Sequence, residues 1–359
     1  MNSLKNLTLR GVFCALIVFP FLKSCTETET TDLTQLDSLI KKEDTLKKYS
    51  AAVRFNVTGR LLEGKHIDCI EPNYNGNTWV ASGKELYRFK GSDEKTFTID
   101  FPILDISIAG DETLWIATNG GGLGHLTLNG LTWFTVANAG LPRDYISNVE
   151  VGLDGRVWFS SCAFDLGGLV MYDGKNFKVY SPENSALNQH VIYNISLDHA
   201  GSLYITTSGK VNQTNVYKFS NQTWQCLGAE SGTFYWSNSF SAGPTGILYL
   251  FEDFSLSSSS YNSNSLYEYR NNAWRKLETP FTNSRLSFIT ALKADRRNYC
   301  WVSNLKSSSY ELYVYNGTSW IQAPENIVLG DKITTIQTDN SNNIWIGTDK
   351  NGIFILSQQ

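Results

Sequence analysis

One aromatic residue recurs along the chain at a nearly fixed interval. Trp79, Trp115, Trp158, Tyr204, Tyr249, Trp301 and Trp345 are separated by gaps of 36, 43, 46, 45, 52 and 44 residues. A repeat of about 40–50 residues has the length of a propeller blade, a four-stranded unit that buries its faces only by stacking on its neighbours. The columns around the aromatic hold the same frame. Nine positions before it stand Ile70, Ile106, Val149, Ile195, Phe240, Leu292 and Ile336, all large and apolar. Three positions before it stand Gly76, Glu112, Gly155, Gly201, Gly246, Asn298 and Asn342. Apart from Glu112, these are residue types that accept the positive φ of a tight hairpin turn.

Each unit reads as four antiparallel strands, A to D. Strand A holds the apolar residue, a turn follows, and strand B carries the aromatic. Strand C alternates, as in Leu86-Tyr87-Arg88-Phe89 and Leu312-Tyr313-Val314-Tyr315. Strand D usually opens on an aromatic, such as Phe97, Trp133, Phe177, Trp224, Trp274 or Trp320. Period-two alternation between turn residues is the strand signature. The seventh unit stops at Ile353–Leu356 plus three residues, so its fourth strand is missing. Val53-Arg54-Phe55-Asn56-Val57 precedes the first unit and alternates like a strand. The expectation is an all-β, seven-bladed β-propeller over residues 51–359, closed by this N-terminal strand completing the last blade, which leaves no unpaired edge.

The amino terminus reads as an address. Lys5 and Arg10 precede an apolar run from Val12 to Leu22, ending in Leu22-Lys23-Ser24-Cys25. Eleven apolar positions are too few for a bilayer span of about 20 residues, but they suit a secretory signal. The run resembles a bacterial lipobox, with Lys23 an imperfect fit, so residues 1–24 are expected to be a lipoprotein signal peptide and Cys25 the lipidated residue. Residues 25–50 are a polar tether. The membrane is then reached through the lipid anchor only, at the outer membrane or cell surface, and more than one acyl chain is needed for stable attachment.

Ile333-Thr334-Thr335-Ile336, Asn342-Asn343-Ile344-Trp345-Ile346-Gly347-Thr348 and Asn351-Gly352-Ile353-Phe354 resemble the two-component regulator propeller repeat. So does Ile146-Ser147-Asn148-Val149 with Asp154-Gly155-Arg156-Val157-Trp158-Phe159. The resemblance extends over the body of the chain and is weakest in the fourth and fifth units, where Tyr replaces Trp. It implies the sensor propellers of Bacteroidetes hybrid two-component systems, and with them recognition of a ligand, often a carbohydrate fragment. It implies no catalysis. The chain ends at residue 359 without an immunoglobulin-like domain, a membrane span or a kinase, so signalling through its own kinase is not expected.

The formal net charge is −4 and no basic block stands out, which argues against a nucleic-acid partner. The four His and six Cys show no HExxH, CxxC or ligand spacing, so neither a metal nor a cofactor is expected. Cys69, Cys162, Cys226 and Cys300 read as small apolar fillers. There is no GxSxG. Gly120-Gly121-Gly122 joins two strands and opens no helix, so it reads as a turn rather than a phosphate cradle. Glu71, Glu150, Glu252 and Asp165 are scattered over different blades, and no carboxylate pair is singled out for glycoside chemistry.

The D–A and B–C loops of a propeller gather on one face. The column thirteen before the aromatic ends the D–A loops and reads His66, Pro102, Tyr145, Val191, Trp236, Phe288 and Lys332. Unlike its uniform neighbours it mixes aromatic and charged types. The B–C loops lengthen in blades three to six, around Phe164 and Tyr310 among others. Long loops on a rigid scaffold are where function gathers. The candidate ligand-binding residues are His66, Tyr145, His190, Trp236, Phe288, Lys332, Phe164 and Tyr310, with His66 and His190 the first to test for catalysis. Aromatic, amide and hydroxyl side chains there suit a sugar. The column ten before the aromatic, Cys69, Asp105, Asn148, Asn194, Ser239, Ala291 and Thr335, lies on the innermost strand and reads as structural. Three functions remain open: capture of a small ligand such as a glycan fragment, a protein-interaction scaffold, or a propeller hydrolase or lyase. A monomer is expected.

Overall fold

A computed structural model describes residues 55–73, 75–163, 166–208, 213–228, 234–235, 239–252, 265–280, 287–306, 309–323 and 330–358. Cys25 with the signal and tether, Phe164 and Trp236 lie outside the described residues. The described residues fold into seven antiparallel sheets with nearly no helix, six of four strands and one, blade four, with Phe234–Tyr235 paired as a fifth off its four-strand path. Each is one blade, ordered A-B-C-D from the axis outward. Blade one runs Cys69–Pro72, Asn77–Ser82, Glu85–Lys90 and Asp93–Thr98. The innermost strands of the others are Ile103–Ile108, Ile146–Val151, Ile192–Leu197, Ser239–Ala242, Ser287–Ala294 and Ile333–Thr338. Each packs against the innermost strands of the two adjacent blades, and the seventh returns to the first, so the ring is closed. The architecture is a seven-bladed β-propeller.

The two columns read from sequence have separate physical jobs. The glycine and asparagine column sits in the A–B turns, and all seven of its residues have positive φ, between 59° and 82°. Glu112 adopts the same conformation, at φ 67°, without the glycine that makes it cheap. In each of the seven turns this residue's N–H donates to the carbonyl three residues earlier, as in Gly155 to Gly152 at 2.9 Å and Asn342 to Asp339 at 3.0 Å. In blades four, six and seven that earlier residue is Asp, and its carboxylate also receives the marker aromatic. Tyr204 Oη donates to Asp198, Trp301 Nε1 to Asp295 and Trp345 Nε1 to Asp339, at 3.0, 3.2 and 3.1 Å.

The apolar column belongs to the seams. Among the described residues there are seven hydrophobic clusters, and each joins two adjacent blades. Ile106 of blade two packs with Trp79 and Leu86 of blade one, and Phe240 of blade five packs with Tyr204 of blade four. Every blade therefore buries one face on each neighbour, which explains why the same frame repeats seven times.

Blade seven takes its outermost strand from the other end of the chain. Phe55–Leu61 pairs antiparallel with Ile353–Gln358, from Phe55 opposite Gln358 to Leu61 opposite Ile353. This strand reaches further along the chain than the 53–57 segment expected, of which Val53 and Arg54 lie outside the described residues. Gly352 turns the chain into its partner at φ +71°, and a Cβ there would meet the Leu62 carbonyl oxygen at 2.2 Å. No helix among the described residues is long and apolar enough to cross a membrane. Cys69, Cys162 and Cys300 are buried, as fillers should be, but Cys226 is an exposed thiol on an outer strand, a correction to its reading as a filler.

Candidate functional site

An innermost strand is hydrogen-bonded on one side only, so each blade presents a bare edge toward the axis. Side chains of the preceding blade cap part of that edge. In the column eight before the aromatic, Ser107, Ser196 and Ser241 accept from the backbone N–H of Val151, Ala242 and Ala294 in the next blade, each at 3.0 Å. Asp105 does the same for Val149 at 2.9 Å. These bonds tie blade two to three, four to five and five to six.

The same column carries charges where it does not carry serine. It reads Glu71, Ser107, Glu150, Ser196, Ser241, Lys293 and Gln337. All of these positions except Ser107 line one or both of two axial cavities. The one on the loop-face side encloses about 300 Å³ and includes Asp68, Asn148, Asn194 and Thr335 in its wall. The one toward the A–B turns encloses about 240 Å³ and includes Glu71, His199 and Arg296. Asp105, Glu150, Lys293 and Gln337 line both, so the cavities meet at this waist. Glu71 and Glu150, expected to be scattered, thus share one cavity with Asp105.

Burial drives these carboxyls up. Glu71 is pushed to about 8, with the nearby Glu150 and Asp105 adding to the effect and Lys293 opposing it. Asp105 rises to about 7 through burial, against the N–H bonds from Val149 and Ile106 that favour its charged form. Glu150 is also raised by burial, with Lys293 opposing. Each of these three residues is partly buried. Strongly perturbed carboxyls gathered in a cavity mark a candidate functional site. Among the described residues, no three His, Cys, Asp or Glu side chains come close enough together to hold a metal ion.

The loop-face candidates fall into two groups. His66, Lys332 and Tyr310 come together where blades six, seven and one meet. His66 bonds Asp349 through Nδ1 at 2.8 Å and Asp68 through Nε2 at 3.2 Å, so it ties blade one to blade seven. Lys332 is exposed, and its carbonyl accepts from Asp349 N–H at 2.9 Å. Tyr310 is half-buried, and its hydroxyl is raised first by burial and then by Asp331 and Asp349. Tyr145 and His190 lie at the entries to blades three and four. Tyr145 is 41% exposed. The Gly167 carbonyl lies 2.9 Å from His190 Nδ1 and can only accept, so Nδ1 carries hydrogen, and Nε2 lies 3.2 Å from Glu183. Phe288 lies on the innermost strand of blade six, opposite Leu305. Sequence reasoning missed the charged column although it stood in the same frame, one position after the apolar column.

Residues 328–350 match the two-component regulator propeller family. The match falls on the first two strands of blade seven, Ile333–Thr338 and Ile344–Thr348. No curated protein sequence matches the chain significantly. The extracellular domain of a protein described as a one-component system from B. thetaiotaomicron is similar in structure, with 18% identity and a TM-score of 0.59. The match covers 84% of this chain and 39% of that one, so this chain spans about two fifths of its length. Virginiamycin B lyase from Staphylococcus aureus, solved with quinupristin, is 13% identical with a TM-score of 0.63, over 85% of this chain and 99% of that one. YCF48 from Cyanidioschyzon merolae is 13% identical with a TM-score of 0.61, over 84% and 98%. At such identities the shared property is the fold.

Proposed function

We propose that this chain is an exported recognition module, anchored through a lipid on Cys25, that captures a small polar ligand in the axial cavity from the loop face. The observation that carries the reading is the broken column at the waist. Seven blades built on one plan place serine, glutamine, two glutamates and a lysine at one equivalent position. Packing alone would repeat one kind of residue there, as it does one position earlier, where all seven are large and apolar. Departure from the repeat inside a cavity is how a symmetric scaffold makes an asymmetric site. No reaction is assigned, and the chemistry of the lyase is not carried over from a shared fold.

A thermal-shift series on the full chain with oligosaccharides, amino acids and other small polar metabolites tests this. A ligand that binds only the folded state adds about 2.7 kcal/mol at 100 times its dissociation constant. The expected result is a shift that Glu150→Gln or Lys293→Met diminishes. The reading fails if no compound shifts the melting temperature, or if shifts are indifferent to both substitutions.

A protein partner is the second reading. Tyr145 and Leu166, 41% and 56% exposed, both lie on the loop side of blade three. YCF48, of similar fold, has been solved with a D1 peptide. Cross-linking from Tyr145 on intact cells would recover one specific protein if this face docks a partner.

A further inference from the structure

We propose that the axial cavity takes a small zwitterion, its ammonium group toward Glu71, Asp105 and Glu150 and its anionic end toward Lys293 and Arg296. This rests on the cavity being the ligand site proposed above, and adds the ligand's chemistry.

The argument starts from what these side chains do not do. Ser107, Ser196 and Ser241 use the same position to cap the next blade's edge. The side chains of Glu71, Glu150, Lys293 and Arg296 make no hydrogen bond or ion pair among the described residues. Glu71 and Glu150 nevertheless stand close enough to Lys293 to feel its charge. Arg296 is exposed, but Glu71, Glu150 and Lys293 are partly buried. Enclosing such ionisable groups without partners costs free energy whether they stay charged or are driven neutral, so a stabilising role within the chain does not account for them. Two other carboxylates of the wall are engaged elsewhere. Asp68 accepts from Gly83 N–H and meets His66, and Asp295 holds Arg297 and Trp301.

The two signs also come from different blades. The carboxylates come from blades one to three, and both cations from blade six. A metal ion would answer only the first group, and no three candidate ligands gather closely enough for one. An ammonium group brings three donors of its own and can span carboxylates too far apart for a metal. Its counter-charge on the same molecule then answers the lysine and arginine. Cavities of about 240 and 300 Å³ lie at or below the low end of ligand pockets. That size suits an amino acid or a dipeptide. Among the described residues of the wall, the aromatic is Phe240, only 8% exposed, which leaves little ring face for a sugar to stack on.

Isothermal titration calorimetry of the full chain tests the proposal. The probes are each of the common L-amino acids and glycylglycine, singly, with N-acetyl and C-amide forms of any that bind, and maltotriose as a neutral comparison. At least one zwitterion is expected to bind. Acetylating its amine or amidating its carboxylate should each weaken binding by about tenfold or more, the value of a charged hydrogen bond. Glu150→Gln should abolish the discrimination against the acetylated form, and Lys293→Met that against the amide. Both substitutions keep side-chain volume, and an unchanged melting temperature without ligand would show that the fold is intact. An ammonium entering among raised carboxyls expels their protons, so the heat at pH 7 should differ between phosphate and Tris by the buffers' ionisation enthalpies. The proposal is overturned if no zwitterion binds, if the blocked forms bind equally well, or if no protons are released. If maltotriose or another neutral compound binds instead, with sensitivity to Glu150→Gln, ligand capture stands and the zwitterion is wrong. If nothing binds, both fall.

Discussion

Phe55 meets the indole of Trp301 edge to face, with ring centroids 5.5 Å apart and the planes at 77°. The contact joins the first described strand, the outermost of blade seven, to the marker aromatic of blade six. Closing the ring thus depends on a side chain as well as on the strand ladder. Phe55 is 3% exposed within the cluster of the blade six–seven seam. Phe55→Ala removes a full aromatic from that cluster and leaves a cavity, which costs about 3–5 kcal/mol. Urea unfolding should show a lower midpoint. Hydrogen exchange should show faster loss of protection in Ile353–Gln358 than in blades two to four, because the closing strand opens first.

The serine caps at the axis predict a smaller, position-specific effect. Ser241 is 3% exposed and accepts from Ala294 N–H. Ser241→Ala leaves that donor without its partner, a cost of about 1–3 kcal/mol, toward the low end here because cavity water can take the hydroxyl's place. Ser265, also buried but on strand C of the same blade, lies off the axis, so Ser265→Ala should not change exchange of the Ala294 amide. Loss of protection at Ala294 on Ser241→Ala alone checks the assignment.

The blades and the turns were legible because they repeat. Each seam buries the same apolar position, and each A–B turn needs the same positive φ, so Val149 or Gly155 can be placed by counting back from Trp158. The charged waist could be read in the same way, since Glu71, Glu150 and Lys293 stand one place beyond the apolar column. What the sequence hides is that they meet, because a lone charge on a strand says nothing of a cavity until the ring closes. His66 shows the opposite difficulty. Its place on the D–A loop marked it as a candidate ligand group, and its actual partner, Asp349, belongs to the far end of the chain. Cys226 differs from Cys69 and Cys300 because it lies on an outermost strand, where no further blade covers it.

The His66 tie makes ring closure respond to pH. Burial lowers the imidazole's proton affinity, but the hydrogen bond to Asp349 and the charge of Asp68 outweigh it, and the pKa is raised from 6.5. The folded state therefore holds a proton that the unfolded chain releases. That stability is fully present below pH 6.5 and is lost as the pH rises through the higher folded value. The ring is 46% exposed, so the effect is small and screened by salt. His66→Gln should reduce the melting temperature at pH 5.5 more than at pH 8.5, and 1 M salt should narrow the difference.

The cavity carboxyls predict a wider dependence of the same sign. Glu71 binds its proton up to about pH 8 in the folded protein, against 4.5 as its ordinary value, and Asp105 up to about 7 against 3.8. Between these limits the folded state binds more protons than the unfolded state, so stability falls as pH rises. The contribution is whole below about pH 4 and gone once the pH passes about 8. Glu71→Gln cannot ionise and keeps the volume. It should flatten the fall between pH 5 and 8 and raise the melting temperature most at pH 8. Unlike the His66 effect, this should persist in 1 M salt, because enclosed groups are poorly screened. A pH profile unchanged by Glu71→Gln would mean that the carboxyl is fully hydrated through the cavity and titrates as an exposed one.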